Sequence, residues 1–142
     1  MPRLLGDDFI LPELNRHNTP WFTSGSIQVQ VCDDCNTAQH PPDDVCYSCQ
    51  SFSLRFETMS GTGVIESCVE GNYPAYPTLV EKVPYTVALI SIDGAPGCRA
   101  FGNILNMPTD KVKIGQKVVA VYEEAVDEQG AKLLIPQWEV TG

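Results

Sequence analysis

Four of the six cysteines fall in two close pairs, and this pattern constrains the fold more than any other feature of the chain. The pairs are two C-x-x-C motifs separated by ten residues, formed by Cys32, Cys35, Cys46 and Cys49. Each motif can place two thiolates on one metal ion, and a short connecting arm folds the motifs together into a tetrahedral site. The spacing therefore predicts a small metal-binding ribbon in the first third of the chain.

The expected four-thiolate site suits either zinc or iron, and zinc is the metal that we predict. Rubredoxin-type iron sites usually carry glycine directly after the second cysteine of each pair, where Asn36 and Gln50 stand here. A rubredoxin-like electron carrier or a redox dithiol stays as an alternative, whereas a disulfide framework would need an oxidising compartment. A closed four-cysteine site has no open coordination position, so we expect Zn²⁺ to be structural. His40, in the connecting arm, is expected on the surface.

The chain carries a large excess of acidic residues. Its 142 residues include 9 Lys and Arg against 18 Asp and Glu, which gives a net charge of -9. Proteins that bind nucleic acids draw much of their affinity from contacts of Lys and Arg with phosphates. We therefore expect no nucleic-acid partner.

The apolar residues are spread along the chain in short runs. No run approaches the roughly 20 residues of a membrane span. The first eight residues lack the basic start and the apolar stretch of a secretory signal. We therefore expect a cytoplasmic protein without a membrane segment.

Residues 1–26 precede the ribbon and are rich in large apolar side chains. Pro12 and Pro20 limit any helix in this segment to a short one, which we expect to begin near Pro12. Because exposed apolar patches mark interaction sites, the segment either caps the domain or forms an arm that binds a partner. Its large apolar residues are Phe9, Ile10, Leu11, Leu14, Trp21 and Phe22.

From residue 56 onward the pattern is that of short β-strands with Gly and Pro between them. We predict strands over 56–69, 83–93, 98–103, 117–124 and 132–136. Segment 83–93 is apolar on both faces, which is expected where one face fills a barrel and the other is covered. Five such strands predict a closed or nearly closed barrel, for which the OB-fold is the commonest solution.

The sequence thus predicts a mainly β protein in three parts. Residues 1–26 are a short helical and apolar arm, residues 27–55 a rubredoxin-like zinc ribbon, and residues 56–142 a five-stranded OB-fold barrel. An OB-fold leaves nucleic-acid binding as an alternative on fold analogy alone. Single-strand binders need a basic groove with stacking aromatic residues. The one basic cluster, Lys111, Lys113 and Lys117, is expected to be a solvated loop.

The sequence offers no recognisable catalytic constellation. Cys68 and Cys98 lie in predicted strands among apolar residues, where we expect structural thiols. A catalytic cysteine would need a nearby base, and His17 and His40 are distant from both in sequence. The chain therefore has the character of an accessory subunit.

The order of motifs resembles that of the DUF35 family, whose members pair a rubredoxin-like zinc ribbon with an OB-fold. The resemblance covers about residues 9 to 138, and it implies that the four paired cysteines are the zinc ligands. The chain departs from the family in its acidic first motif (Asp33, Asp34) and in Gln50, where glycine is common. The matching segments are IQVQVCDDCNTAQHPPDDVCYSCQS, SGTGVIESCV, VPYTVALISID, FGNIL and VKIGQKVVAVYEE.

The resemblance also implies a partner, because members of this family are typically found in complexes with thiolase-fold enzymes that hold the catalytic Cys and His. It implies a non-catalytic accessory subunit of a thiolase-like complex that acts on acyl-CoA or acyl groups by thiolysis, condensation, C–C cleavage or C-acylation. The subunit would stabilise the catalytic chain and shape its substrate or CoA entrance. A CoA thioester would be bound by the complex, and no residue of this chain is assigned to it. The loop with Tyr73 and Tyr76 is predicted to lie near the substrate channel.

Overall fold

Eight β-strands, one short α-helix and two 3-10 helices (Pro77–Leu79 and Thr109–Lys111) make up the regular structure of residues 4–141, the part of the chain that the computed structural model describes. The mainly β prediction is confirmed. Within this described range, no helix is long and apolar enough to cross a lipid bilayer. In chain order the elements are α1 (Thr19–Thr23), β1 (Gln28–Cys32), β2 (Ala38–Gln39), β3 (Leu54–Thr58), β4 (Thr62–Gly71), β5 (Tyr85–Ile92), β6 (Arg99–Asn103), β7 (Lys117–Val126) and β8 (Lys132–Val140).

The predicted start of the helix near Pro12 is wrong, since α1 begins at Thr19. Two asparagine side chains hold the chain before it in turns instead. The side-chain oxygen of Asn15 accepts hydrogen bonds from the backbone N–H groups of His17 and Asn18, at 2.8 and 2.9 Å. Such local bonds compete with helix formation. Pro20 then falls in the first turn of α1, where no backbone donor is needed.

The ribbon is a three-stranded antiparallel sheet with the order β2-β1-β3. Its third strand was expected to be the start of one long strand over residues 56–69, and this prediction is wrong. The chain leaves the ribbon at Met59, whose N–H donates to the carbonyl of Ile27 at 2.8 Å. It then turns at Gly61, whose φ of 83° is readily adopted only by glycine, and enters the second sheet as β4.

The second sheet has five antiparallel strands in the order β6-β5-β4-β7-β8. The five-stranded prediction is confirmed, but the sheet is open and its two edge strands meet at a single parallel bridge between Ile104 and Trp138. A side chain replaces part of the missing ladder, because the backbone N–H of Asn103 donates to the side-chain oxygen of Gln137 at 2.7 Å. The predicted closure of the barrel is thus limited to one bridge and a few hydrogen bonds in place of a strand ladder.

The two sheets share one hydrophobic core. Strand β5 alternates regularly, with Ala88, Ile90 and Ile92 buried and the residues between them half-exposed. Ile27, at the start of the ribbon, is fully buried in the same cluster of side chains. Trp138 of β8 is also fully buried there. The ribbon and the five-stranded sheet are therefore packed as one body.

Candidate metal centre

The four paired cysteines meet at one point of the ribbon, with all four sulfur atoms within 4.8 Å of one another. The sulfur of Cys32 lies 3.6 Å from that of Cys49, and the sulfurs of Cys35 and Cys46 are also 3.6 Å apart. Four sulfurs placed about 2.3 Å from a zinc ion would form a tetrahedron with edges of about 3.8 Å. The donor set therefore fits a closed tetrahedral site. No other group of three or more His, Cys, Asp or Glu comes together in this way within residues 4–141.

The two motifs have the same backbone geometry. The N–H of Asn36 donates to the carbonyl of Cys32 at 3.0 Å, and the N–H of Gln50 donates to that of Cys46 at 3.0 Å. Asn36 and Gln50 have φ values of 61° and 64°, in the left-handed region that favours glycine. This backbone requirement is the physical reason for glycine at the equivalent position in related ribbons. The chain adopts the same geometry without glycine at either position.

Hydrogen bonds around the sulfurs act in opposite directions on the two exposed cysteines. At Cys49 the hydrogen bond from the backbone of Ser51 is outweighed by those with the sulfurs of Cys32 and Cys35, which raise its pKa to about 12. Cys32 and Cys46 are buried, whereas Cys35 and Cys49 are exposed. Hydrogen bonds from the hydroxyl and backbone of Thr37 lower the pKa of Cys35 to about 6. Since the thiolate is the form that binds metals, this thiol is prepared to act as a ligand at neutral pH.

The acidic residues of the first motif connect it to the segment that follows the second. The carboxylate of Asp33 accepts hydrogen bonds from Ser53 at 2.8 Å and from Arg55 at 3.0 Å. The Ser53 hydroxyl and then the Arg55 guanidinium hold the pKa of Asp33 below its usual value. Asp34 in turn accepts a hydrogen bond from Ser51. These aspartates, which depart from the family pattern, therefore fasten the two halves of the metal site together.

Two buried glutamines fix the arm that joins the motifs, and sequence reasoning missed both. Gln30 and Gln39 are paired across β1 and β2, with a side-chain hydrogen bond of 2.8 Å between them. Gln30 also bonds both backbone groups of Asp43, at 2.8 and 2.9 Å. Gln39 accepts from the backbone N–H of Tyr47 at 2.8 Å. The sequence signal available for Gln30 was the polar residue at every second position of β1. Such alternation usually indicates exposed positions, but Gln30 is buried.

Neither histidine belongs to the cysteine cluster. The expectation that His40 is a surface residue is wrong, because its ring packs on Trp21 with ring centroids 4.3 Å apart. This packing follows from α1, which places Trp21 beside the arm, and burial lowers the pKa of His40 to about 4. His17 pairs with Asp44, with its Nε2 atom 2.8 Å from a carboxylate oxygen.

The two remaining thiols lie outside the metal cluster, with Cys68 in β4 and Cys98 directly before the start of β6. Cys98 is buried in the hydrophobic core, and burial raises the pKa of its thiol. Cys68 is half-buried and packs against the same core. The lysines at positions 111, 113 and 117 are exposed.

The N-terminal segment lies against the five-stranded sheet through a buried carboxylate that the sequence did not reveal. One side-chain oxygen of Glu123, which is 1% exposed, accepts hydrogen bonds from the backbone N–H groups of Leu4 and Leu5 at 2.7 and 3.1 Å. Further along, Phe9 stacks on Tyr76 with ring centroids 4.3 Å apart. The segment therefore also holds one end of the loop that contains Tyr73, whose side chain is 78% exposed.

Comparison with known proteins agrees with this architecture. Residues 24–55 match the family model of the ChsH2 rubredoxin-like zinc ribbon domain, and residues 56–123 match that of the ChsH2 C-terminal OB-fold domain. The chain belongs to the ChsH2 (DUF35) family. The resemblance inferred from the motifs is thereby confirmed, as are the zinc-ribbon and OB-fold assignments.

Two relatives of this ChsH2 (DUF35) chain bear on its role. A chain in the structure of the Ltp2-ChsH2(DUF35) aldolase has 31% sequence identity and a TM-score of 0.76, over 92% of this chain and 98% of that one. A probable enoyl-CoA hydratase alpha subunit from Thermomonospora curvata is 33% identical over 120 residues. That match covers 82% of this chain and 36% of the relative, so the chain spans about a third of the relative's length.

Proposed function

We propose that this chain is a non-catalytic, zinc-holding subunit of a hetero-oligomeric complex that acts on acyl-CoA or acyl groups, with a thiolase-like catalytic subunit as its partner. The observation that carries the proposal is the similarity, along almost the whole chain, to a component of the Ltp2-ChsH2(DUF35) aldolase. The relative named as an enoyl-CoA hydratase subunit supports CoA thioester chemistry in the complex. The role of the subunit is to stabilise its partner and shape the entrance for substrate or CoA.

The contacts of the potential catalytic side chains support a non-catalytic role. His17 is engaged with Asp44, and the ring of His40 packs on Trp21. Cys98 is buried in the core, where desolvation opposes formation of its thiolate. General acid–base and nucleophilic steps need such groups within reach of a substrate. The reacting groups are therefore assigned to the partner.

The ribbon cysteines would hold the metal, and zinc is the ion that we propose. The four sulfurs have the spacing of a closed tetrahedral site, which leaves no position for a substrate. Bound zinc would supply a structural cross-link between the two motifs. Metal analysis of the purified protein should find about one zinc per chain and no visible absorption. A coloured protein with about one iron per chain would instead establish the rubredoxin-like alternative.

The partnership is tested by purifying the tagged chain from its native lysate at low salt and identifying co-purified proteins by mass spectrometry. The expected result is a thiolase-like protein in a fixed ratio, with turnover of acyl-CoA substrates by the complex and none by the isolated chain. A chain that purifies alone, or that turns over substrate alone, would refute the proposal.

Substitution of one cysteine links the metal to assembly. Cys46→Ser removes a buried sulfur of the cluster, so metal content and recovery of the complex should both fall to the background level. Cys68→Ser, which changes a half-buried thiol outside the cluster, is the matched control and should retain both. Equal loss in the two variants would show that the effect does not come from the metal site.

A further inference from the structure

Residues 4–9 form a strap that runs from strand β7 to the loop between β4 and β5. Leu4, at one end of the strap, is held through both of its backbone polar groups. Its N–H donates to a side-chain oxygen of Glu123 at 2.7 Å, and its carbonyl accepts from Nζ of Lys82 at 3.3 Å. Its side chain is buried against the sheet. We call residues 4–9 the N-terminal strap.

The other end of the strap fits closely against the loop between β4 and β5. The carboxylate of Asp8 accepts hydrogen bonds from the hydroxyl and the backbone N–H of Thr78, at 2.6 and 3.3 Å. Gly6 lies so near this loop that a Cβ atom on it would be 2.6 Å from Cβ of Thr78. Rotation of the Thr78 side chain cannot make room, because its Cβ atom is fixed by the backbone. A side chain at position 6 would therefore lift the strap off the loop.

The carboxylate that holds the strap also holds the seam where β6 and β8 meet. The second oxygen of Glu123 accepts a hydrogen bond from Nε2 of Gln137 at 2.7 Å. Gln137 in turn accepts from the backbone N–H of Asn103 at 2.7 Å and donates to its side-chain oxygen at 3.0 Å. The Asn103 side chain then donates to the carbonyl of Thr86 on β5 at 2.9 Å. A chain of hydrogen bonds therefore joins the strap to both edge strands of the sheet.

Burial makes the two ends of this chain depend on each other. Glu123 is 1% exposed and Gln137 is 2% exposed, and the seam between them has one backbone bridge in place of a strand ladder. Departure of the strap would leave the buried carboxylate without two donors, which is unfavourable unless water enters. Water beside Glu123 would compete with Gln137 for the carboxylate and loosen the seam.

We infer that the N-terminal strap is a latch on the five-stranded sheet. While the strap is docked on Glu123, the seam between β6 and β8 is closed and the loop around Thr78 is held in place. When the strap is released, the seam and the loop open together. A molecule that binds the released strap more tightly than the docked strap would shift the sheet towards the open form. The inference goes beyond the proposed function and does not depend on it.

Hydrogen–deuterium exchange, followed by NMR on the full metal-loaded chain, tests the latch from the strap side. Gly6→Val should lift the strap, and Asp7→Val, which changes an exposed neighbour in the same strap, is the matched control. The reporters are the amides of Asn103 and Leu105, which donate across the seam at 2.7 and 3.0 Å. In Gly6→Val they should exchange about tenfold faster or more, the effect of losing a hydrogen bond to a charged group. Amides of β1 should be unchanged, as should all amides in Asp7→Val.

A second variant tests the same coupling from the seam side, because coupling between two sites is reciprocal. Gln137→Met keeps the length of the side chain and removes its bond to Glu123. The amides of Leu4 and Leu5, which bond to the other oxygen of that carboxylate, should then exchange about tenfold faster. Gln116→Met changes a glutamine that bonds to its own loop, and it should leave both amides unchanged.

The outcomes separate a latch from simpler behaviour. Faster exchange in the loop of Gly6→Val without a change at Asn103 and Leu105 would show that strap and seam move independently, and it would overturn the inference. Faster exchange that extends to β1 and β3 would overturn it too, because the effect would then be one of global stability. Slow exchange of Leu4 and Leu5 in a folded Gln137→Met protein would overturn it from the other side.

Discussion

Adding one methyl group at Gly102 should destabilise the fold strongly, because Trp138 already fills the space. A Cβ atom on Gly102 would lie 2.5 Å from Cδ1 and 2.7 Å from Nε1 of Trp138, whereas ordinary contacts are 3.4–4 Å. Trp138 is fully buried, so its ring cannot move into solvent to make room. Overpacking of this kind costs about 1–3 kcal/mol, and a displacement close to 1 Å places Gly102→Ala near 3 kcal/mol. At about 2–4 °C per kcal/mol, the Tm should fall by about 6–12 °C.

The assay is urea unfolding of the metal-loaded protein followed by far-UV circular dichroism, in a double-mutant cycle with Trp138→Phe. The smaller ring leaves room for the methyl group, and it also removes an indole N–H that has no hydrogen-bond partner among the described residues. Gly102→Ala should therefore cost about 1 kcal/mol or less in the Trp138→Phe background, a coupling of about 2 kcal/mol. An equal loss of stability in both backgrounds would refute the reasoning, because it would show that contact with Trp138 is not the reason why position 102 requires glycine.

Two further predictions concern the ribbon. Gln50→Gly should raise the free energy of unfolding by about 0.5–1 kcal/mol, since it relieves a left-handed φ of 64°. Asn36→Gly should leave the free energy of unfolding unchanged, because Asn tolerates this conformation and its side chain accepts a hydrogen bond from Arg55 at 3.1 Å. Urea unfolding at pH 7.5 measures the stability of both variants, and equal gains in stability would contradict the explanation. Burial of His40 lowers its pKa from 6.5 to about 4, so the unfolded chain takes up this proton first and stability falls as the pH drops from 6.5 towards 4. Between pH 7.5 and 5.5 this loss of stability should be about 1 kcal/mol. It should be absent in His40→Phe, which keeps an aromatic ring on Trp21. An identical pH dependence of stability in the wild type and His40→Phe would assign the acid sensitivity to other groups.

The metal centre could be predicted because its information is local in sequence. Two cysteines with only two residues between them lie on one turn, and the arm between the motifs is short enough to keep the two pairs together. The partners of the centre could not be predicted in the same way. Asp33 contacts Ser53 and Arg55, and Arg55 lies more than twenty residues further along the chain. These contacts exist only after β1 and β3 have paired.

The strands show the same distinction between local and distant information. Strand β5 could be predicted because its whole length belongs to one sheet, so that one alternation of buried and half-exposed residues runs along it. The predicted strand 56–69 failed because its two ends belong to different sheets, and only the pairing of residues 56–58 with residues 28–30 assigns the first part to the ribbon. The helix expected near Pro12 failed for a local reason, since the turn made by Asn15 and Asn18 was not recognised.

The shared core explains how a closed metal site in the ribbon can matter to the other sheet. Strand β1 ends at Cys32, a residue of the cysteine cluster, and on the opposite face of the same strand Val29 is fully buried with Ile65 and Ile90 of the five-stranded sheet. Ile90 lies on β5, which is hydrogen-bonded to both β4 and β6. Because packed interiors transmit displacement, loosening of the ribbon would disturb β5 as well as the cysteines. A structural metal would therefore stabilise the five-stranded sheet as well as the ribbon.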